Sequence, residues 1–281
     1  MRPKPKHGEG NSLLRGLPPD DYRRILEQTE RVSLTSGKII SDPEQPIREV
    51  YFPLTAVLSV LSIMTDRSAV EAAVIGYEGM APLAAFHGVD TAAEQVIVQV
   101  PGDALRMRRD TFETVLERMP ELRAGLHRFS QALFTFAAQA SACNRKHPVV
   151  ERCARWLLAT HDRVPGDEFE LTHLFLAQML GVRRSSVTIA AEALRSAGAV
   201  SYSRGKIRIL DRDVLHARAC DCYDIIRSTY DRLLEGIATS SPLATLALSE
   251  RDMLLAHAGE TNARSTPPDL VLLRGDKTSP R

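Results

Sequence analysis

Cysteine is scarce in this chain: four residues in 281, at irregular positions, none before Cys143. So few in a chain this long do not make a disulfide framework. Long apolar runs are missing as well. The longest, residues 54–64, is interrupted by Thr55, Ser59 and Ser62 and is too short to span a bilayer. No apolar segment follows the early basic residues, so no signal peptide is expected and the cytosol is the expected compartment. No charge sign dominates, because 36 Lys/Arg stand against 35 Asp/Glu. There is no internal repeat. His147, His161 and His173 are scattered without a nucleophile–base spacing, so no enzyme is expected. The run Cys220-Asp221-Cys222 lacks the paired spacing of a structural zinc site. Cys153 falls in an apolar helix and Cys143 in an apolar seam. The four cysteines read as buried structural thiols, with a redox or metal role for Cys220 and Cys222 the lesser reading; no metal and no cofactor is expected.

What is present is unevenly distributed. At 44% hydrophobic residues the chain can bury a core, and its length suits two modest domains plus a tail. Residues 145–218 hold 13 Lys/Arg against 8 Asp/Glu, while both flanks are slightly acidic. One basic module between near-neutral neighbours is the pattern of a chain in which a single domain meets phosphate.

Residues 1–11 are basic and Pro/Gly-rich, which predicts disorder. A short helix is expected after Pro18, with Asp20 and Asp21 in its first turn. From Arg31 to Arg109 short β-branched runs recur at 50–52, 57–63, 70–75 and 96–100, punctuated by glycines and prolines; these predict an antiparallel sandwich or roll over 12–118. A short helix follows at 111–118, then a long one over 119–146. Its apolar positions Leu122, Leu126, Phe129, Leu133, Phe136, Ala140 and Cys143 step by four and three, the spacing of a two-helix seam. The expectation is therefore a homodimer whose interface is built from Leu122, Leu126, Phe129, Leu133, Phe136 and Ala140; packing within the chain is the alternative. A new helix restarts at Pro148, and a C-terminal helix is expected over 219–239. Residues 240–281 read as a largely disordered tail, with a frayed helix near 243–255.

The informative segment is 171–210, LTHLFLAQMLGVRRSSVTIAAEALRSAGAVSYSRGKIRIL. Thr172 stands where a helix cap is wanted, and Leu174, Ala177 and Leu180 mark the inner face of a short helix. Ala177 is the small residue at a close helix crossing, and Gly181 supplies the positive φ of a tight turn. Val187, Ala190, Ala191 and Leu194 bury a second helix, leaving Arg183, Arg184, Ser185, Thr188 and Ile189 outward. Gly198 stops it. Two short strands then flank Ser203-Arg204-Gly205-Lys206, a hairpin. Helix, turn, helix and wing over 147–218, with cations at the helix start and wing tip, predict binding to double-stranded DNA. A winged helix serving as a protein–protein module is the rival.

The whole resembles the Crp/Fnr family of bacterial transcription regulators over about residues 12–235. The resemblance rests on GYEGM (76–80), HPVVERCARWLL (147–158) and LGVRRSSVTIAAEALRSAGAVSYSRGKIRILDR (180–212). The last stretch is close to a subfamily common in alphaproteobacteria, which shares the run Cys220-Asp221-Cys222-Tyr223. It implies an α+β protein: an N-terminal antiparallel β-roll of the cyclic-nucleotide-binding type, a long dimerisation helix and a C-terminal winged helix-turn-helix. It further implies that Arg184 reads a base, that Ser185, Ser186, Thr188 and Ile189 face the groove, and that Thr172 touches phosphate. Arg204 and Lys206 would sit at phosphates, and RNA polymerase would be a partner. The departures are informative. Members that bind cyclic AMP hold its phosphate with a Gly-Glu and an Arg-Ser pair. Residues 79–83 and 91–95 here contain no arginine and place Glu94 near the anion's position. Cyclic AMP is therefore not expected, and the effector is unknown. Iron–sulfur members use N-terminal cysteines, absent here; His87 and His127 leave heme open.

Overall fold

The structure, a computed structural model, describes residues 10–234. The readings of residues 1–9, of 235–239 and of the tail with its helix near 243–255 lie outside them. Asn11 corrects the expected end of the disordered start. Its side chain accepts from Leu13 N as the cap of α1 (Ser12–Arg15) and donates to the carbonyls of Pro53 and Gly79 at 3.0 and 2.8 Å. With donors and acceptor all used, the amide is buried without an orphaned polar group.

α2 (Pro19–Glu27) has Pro19 in its first turn with Asp20 and Asp21, as the sequence predicts. Seven strands follow: β1 (Glu30–Leu34), β2 (Ile39–Ser41), β3 (Glu49–Pro53), β4 (Val57–Ile63), β5 (Ala69–Ile75), β6 (Gln95–Val100) and β7 (Gly102–Arg108). They pair antiparallel in two sheets, ordered β1-β7-β3 and β2-β6-β4-β5. The four β-branched runs are β3 to β6. The others were not legible singly; β1, for example, buries only Leu34 and is otherwise a polar edge. After the roll come α3 (Arg109–Arg118), α4 (Pro120–Lys146), α5 (Val149–His161), β8 (Glu168–Glu170), α6 (His173–Leu180), α7 (Arg184–Ser196), β9 (Val200–Ser203), β10 (Lys206–Ile209), α8 (Arg212–Ala217) and α9 (Cys222–Leu234). The fold class is the expected α+β.

The seam of α4 needs correcting. Leu122, Leu126, Phe129, Phe136 and Ala140 are buried within the single chain, where α4 packs against α9, β5, α1 and α3; Leu133 is half-buried at the edge. They are core residues and not an interface in waiting. Gly125 and Ala132 are buried beside them, so the buried stripe is wider than the four-three positions alone. The opposite face of α4 carries the exposed Phe134, 68% accessible, flanked along the helix by Gln131, Ala138 and Ser141.

The GYEGM stretch joins roll to helices by close approach. A Cβ on Gly76 would lie 2.8 Å from the Arg163 side chain, and one on Gly79 would lie 2.1 Å from the Phe129 ring. Neither contact tolerates a side chain. Between them Glu78 pairs with Arg163 at 2.7 Å, both buried. Beyond α5, Asp162 accepts from Arg212 at 2.5 Å, Tyr223 at 2.8 Å and Arg227 at 3.1 Å, tying α8 and α9 to the end of α5.

A second buried polar chain crosses from the roll to α5. Ser59 Oγ lies 2.6 Å from Glu71 Oε2 and 2.9 Å from Gln99 Oε1, and Gln99 Nε2 donates to Thr160 Oγ1 at 2.8 Å. One hydroxyl proton cannot serve both acceptors of Ser59. The chain is satisfied if Glu71 carries a proton and donates to Ser59, which then donates to Gln99. Burial pushes Glu71 up to about 7, against the hydrogen bond of Ser59 and the charges of Arg155 and Arg163. Trp156 also faces this carboxyl, with its ring N–H outside hydrogen-bond geometry. Because the folded value lies above the unfolded one, this stabilisation is full below the unfolded value of 4.5 and is lost as pH rises to about 7. The loss reaches about 3 kcal/mol. Urea unfolding of Glu71→Gln is expected to flatten this pH dependence and to raise stability at pH 8. A Glu71→Gln protein that still loses stability between pH 5 and 7 as the wild type does would show that another group titrates.

Candidate nucleic-acid interface

The winged module is built by short-range rules. Thr172 caps α6, its hydroxyl accepting from Phe175 N at 3.1 Å. Ala177 and Leu180 are buried as expected, but Leu174 is 51% exposed and Leu176 and Met179 complete the inner face instead; Gly181 ends α6 in the left-handed region at φ 61. A side chain at Gly181 would also meet Val70 of β5 at 3.0 Å, so the turn leans on the roll. Val187, Ala190, Ala191 and Leu194 bury the inner face of α7 as predicted. Arg183 is its cap residue and Arg184 its first.

The outward set is brought together. Arg183, Arg184, Ser185, Thr188 and Ile189 are exposed on the first two turns of α7, while Ser186 is half-buried and turned from that face. Neither Arg183 nor Arg184 has an acidic partner among the described residues. Ile189 is 69% exposed on this face, beside the exposed Ser185 and Thr188. Thr188 Oγ1 bonds back to the Arg184 carbonyl and lies 3.2 Å from His173 Nδ1. His173 in turn stacks edge-on against Tyr202 at 5.0 Å. His173 thus braces α6, α7 and the hairpin, a placement the sequence scan missed; its position beside the cap Thr172 was the available signal.

The wing is three-stranded, ordered β8-β10-β9. Three residues of β8, Glu-Phe-Glu, are too few to read as a strand alone. Arg204 and Gly205 turn the hairpin with φ 49 and 79, the paired positive values of a tight two-residue turn. Arg204 is exposed at the tip and has no acidic partner among the described residues. Lys206 differs: its Nζ lies 3.9 Å from Glu168, which also binds Arg208 at 2.7 Å. A phosphate at Lys206 would compete with that carboxylate; at Arg204 it would not.

Residues 151–218 match the model of the Crp-like helix-turn-helix domain. The chain carries a Crp-like helix-turn-helix domain on a Crp/Fnr-type fold. The fold is shared with FixK2 from Bradyrhizobium japonicum (15% identity, TM-score 0.58, covering 68% of this chain and 98% of that one). It is shared with the c-di-GMP-responsive global regulator CLP of Xanthomonas campestris (13%, TM-score 0.56, 69% and 100%). A transcriptional regulator of the CRP family from Thermus thermophilus is similar too (15%, TM-score 0.55, 68% and 96%). No curated protein matches the chain by sequence. The matched domain takes in α6, α7 and the wing, so the exposed cations lie inside it. No helix among the described residues is long and apolar enough to cross a membrane.

Proposed function

We propose that the protein is a homodimeric, sequence-specific DNA-binding transcription regulator that lays α7 in the major groove of double-stranded DNA. The outer face of α7 carries this reading. Two guanidinium groups, two hydroxyls and the exposed Ile189 stand together on one helix, with Arg204 of the wing as a third cation, and among the described residues none of the three cations has an acidic partner. An arginine matches guanine bidentately, hydroxyls suit bases or phosphates, and a branched apolar group suits the thymine methyl. On this reading Thr172 at the start of α6 and Arg204 on the wing contact phosphates, with Lys206 a weaker third.

A second copy is the occupant we assign to the Phe134 face of α4. Small neighbours on that face, Ala138 and Ser141, let two such helices approach. A two-fold dimer reads a palindrome with half-sites about one helical turn apart. RNA polymerase is the further protein partner. The roll serves as scaffold or takes an effector other than cyclic AMP. Residues 79–83 and 91–95 contain no arginine, Glu94 is exposed, and the Phe129 ring lies over the Gly79 backbone. A phosphodiester there would lose hydration with no cation to replace it. The test is selection of bound fragments from a random DNA library, with an inverted repeat the expected product. Recovery of no preferred sequence would favour the protein–protein reading of the winged helix.

A further inference from the structure

One side-chain cluster takes no part in reading DNA. Cys143 in the last turn of α4, His147 at its C-cap, Cys220 in the loop before α9 and Cys222 at the start of α9 converge at one point. Their three sulfurs and one imidazole nitrogen all lie within 4.8 Å of one another. Cys143 Sγ and Cys220 Sγ are 3.5 Å apart, and so are Cys222 Sγ and His147 Nδ1. Zinc–sulfur bonds of about 2.3 Å and zinc–nitrogen bonds of about 2.0 Å at tetrahedral angles set neighbouring donors roughly 3.5–3.8 Å apart. We propose that Cys143, His147, Cys220 and Cys222 bind a single tetrahedral zinc ion. Three sulfurs and an imidazole select zinc over magnesium or calcium. A polynuclear iron–sulfur cluster would hold its thiolates farther apart.

The surroundings fit an ion as well as the donors do. His147 Nε2, the nitrogen turned away from the sulfurs, lies 3.5 Å from Asp221 Oδ1, the carboxylate–histidine arrangement that orients a ligating imidazole. Gln139 Nε2 donates to Cys222 Sγ at 3.1 Å. Arg155 is 4% exposed, its Nε and Nη1 have no hydrogen-bond partner among the described residues, and its charge acts on Cys143 and Cys220. Three neutral thiols would leave that buried cation facing no anion on this side. Zinc binding releases the three thiol protons to solvent and moves no electrons, and the resulting centre carries a net single negative charge opposite Arg155. The ligands come from the end of α4 and from the loop and first turn of α9, next to the junction where α4 passes into α5. The ion would pin that junction.

The test uses the reduced, full-length protein without DNA, so its outcome is independent of the regulator reading. After zinc loading and desalting, elemental analysis is expected to give one zinc per chain. Cobalt(II) is expected to give a thiolate charge-transfer band with tetrahedral d–d bands, displaced by zinc. Asp221→Asn removes an exposed carboxylate and is expected to lower zinc affinity about tenfold or more in chelator competition. Cys222→Ser should abolish stoichiometric retention. Cys153→Ser should keep it, because Cys153 lies outside the cluster and burial pushes its thiol up to about 12. Should Cys222→Ser fail to fold, the wild-type cobalt spectrum and Asp221→Asn still decide. Substoichiometric zinc, a cobalt spectrum without the sulfur band, or a Cys143–Cys220 disulfide with no zinc uptake after reduction each overturns the site.

Discussion

Phe134→Asp is expected to turn the proposed dimer into a 31.1 kDa monomer in sedimentation at micromolar concentration. The substitution puts a carboxylate where two copies of α4 would press an exposed aromatic ring together, and an uncompensated buried charge costs about 3–5 kcal/mol. That weakens association roughly a hundredfold to a few thousandfold. The monomer should keep its fold, because Phe134 is exposed and touches no core residue's place. Phe129→Ala is the contrast. Phe129 is fully buried against Gly79, so its truncation should lower unfolding stability by about 3–5 kcal/mol. A wild type that sediments as a monomer, or a Phe134→Asp protein that remains a dimer, sinks the assignment of this face.

Arg184→Ala is expected to lose about 1–3 kcal/mol of affinity on the selected site and little on scrambled DNA. Specificity should relax at one base pair in each half-site. The reason is placement: Arg184 opens α7, is exposed, and has no acidic partner to leave when it meets a base. Arg204→Ala should behave differently. At the wing tip the arginine meets phosphate, so binding weakens alike on all sequences and the salt slope falls by about one unit per monomer. Lys206→Ala should show a smaller version of that change, since Glu168 already holds part of its charge. Titration of the three variants on specific and scrambled duplexes at several salt concentrations separates the roles. Equal losses for Arg184→Ala on both duplexes would make it a phosphate clamp and refute the groove placement.

The winged helix-turn-helix was legible in the sequence because its determinants are local. A small residue at Ala177, a left-handed turn at Gly181, a 3.6-residue inner face in α7 and a glycine at the hairpin tip are all set within 30 residues of chain. Each acts through backbone geometry or helical period, which sequence spacing records directly. The same holds for β3 to β6, whose β-branched runs mark strands, and for the cap of α6 at Thr172. What the alternation of α4 could not say was which partner its stripe meets. A four-three spacing is the same whether the neighbouring surface belongs to a second copy or to α9 and β5 of the same chain. Only the packed structure decided that, and it moved the candidate dimer face to Phe134. Polar partnerships across long loops were likewise invisible. Glu71 meets Gln99 through Ser59, and Cys143 meets Cys220 77 residues later. Sequence alone determined the local elements and the cations they present; tertiary structure decided which buried groups face one another, because those contacts depend on loop closure and have no period along the chain.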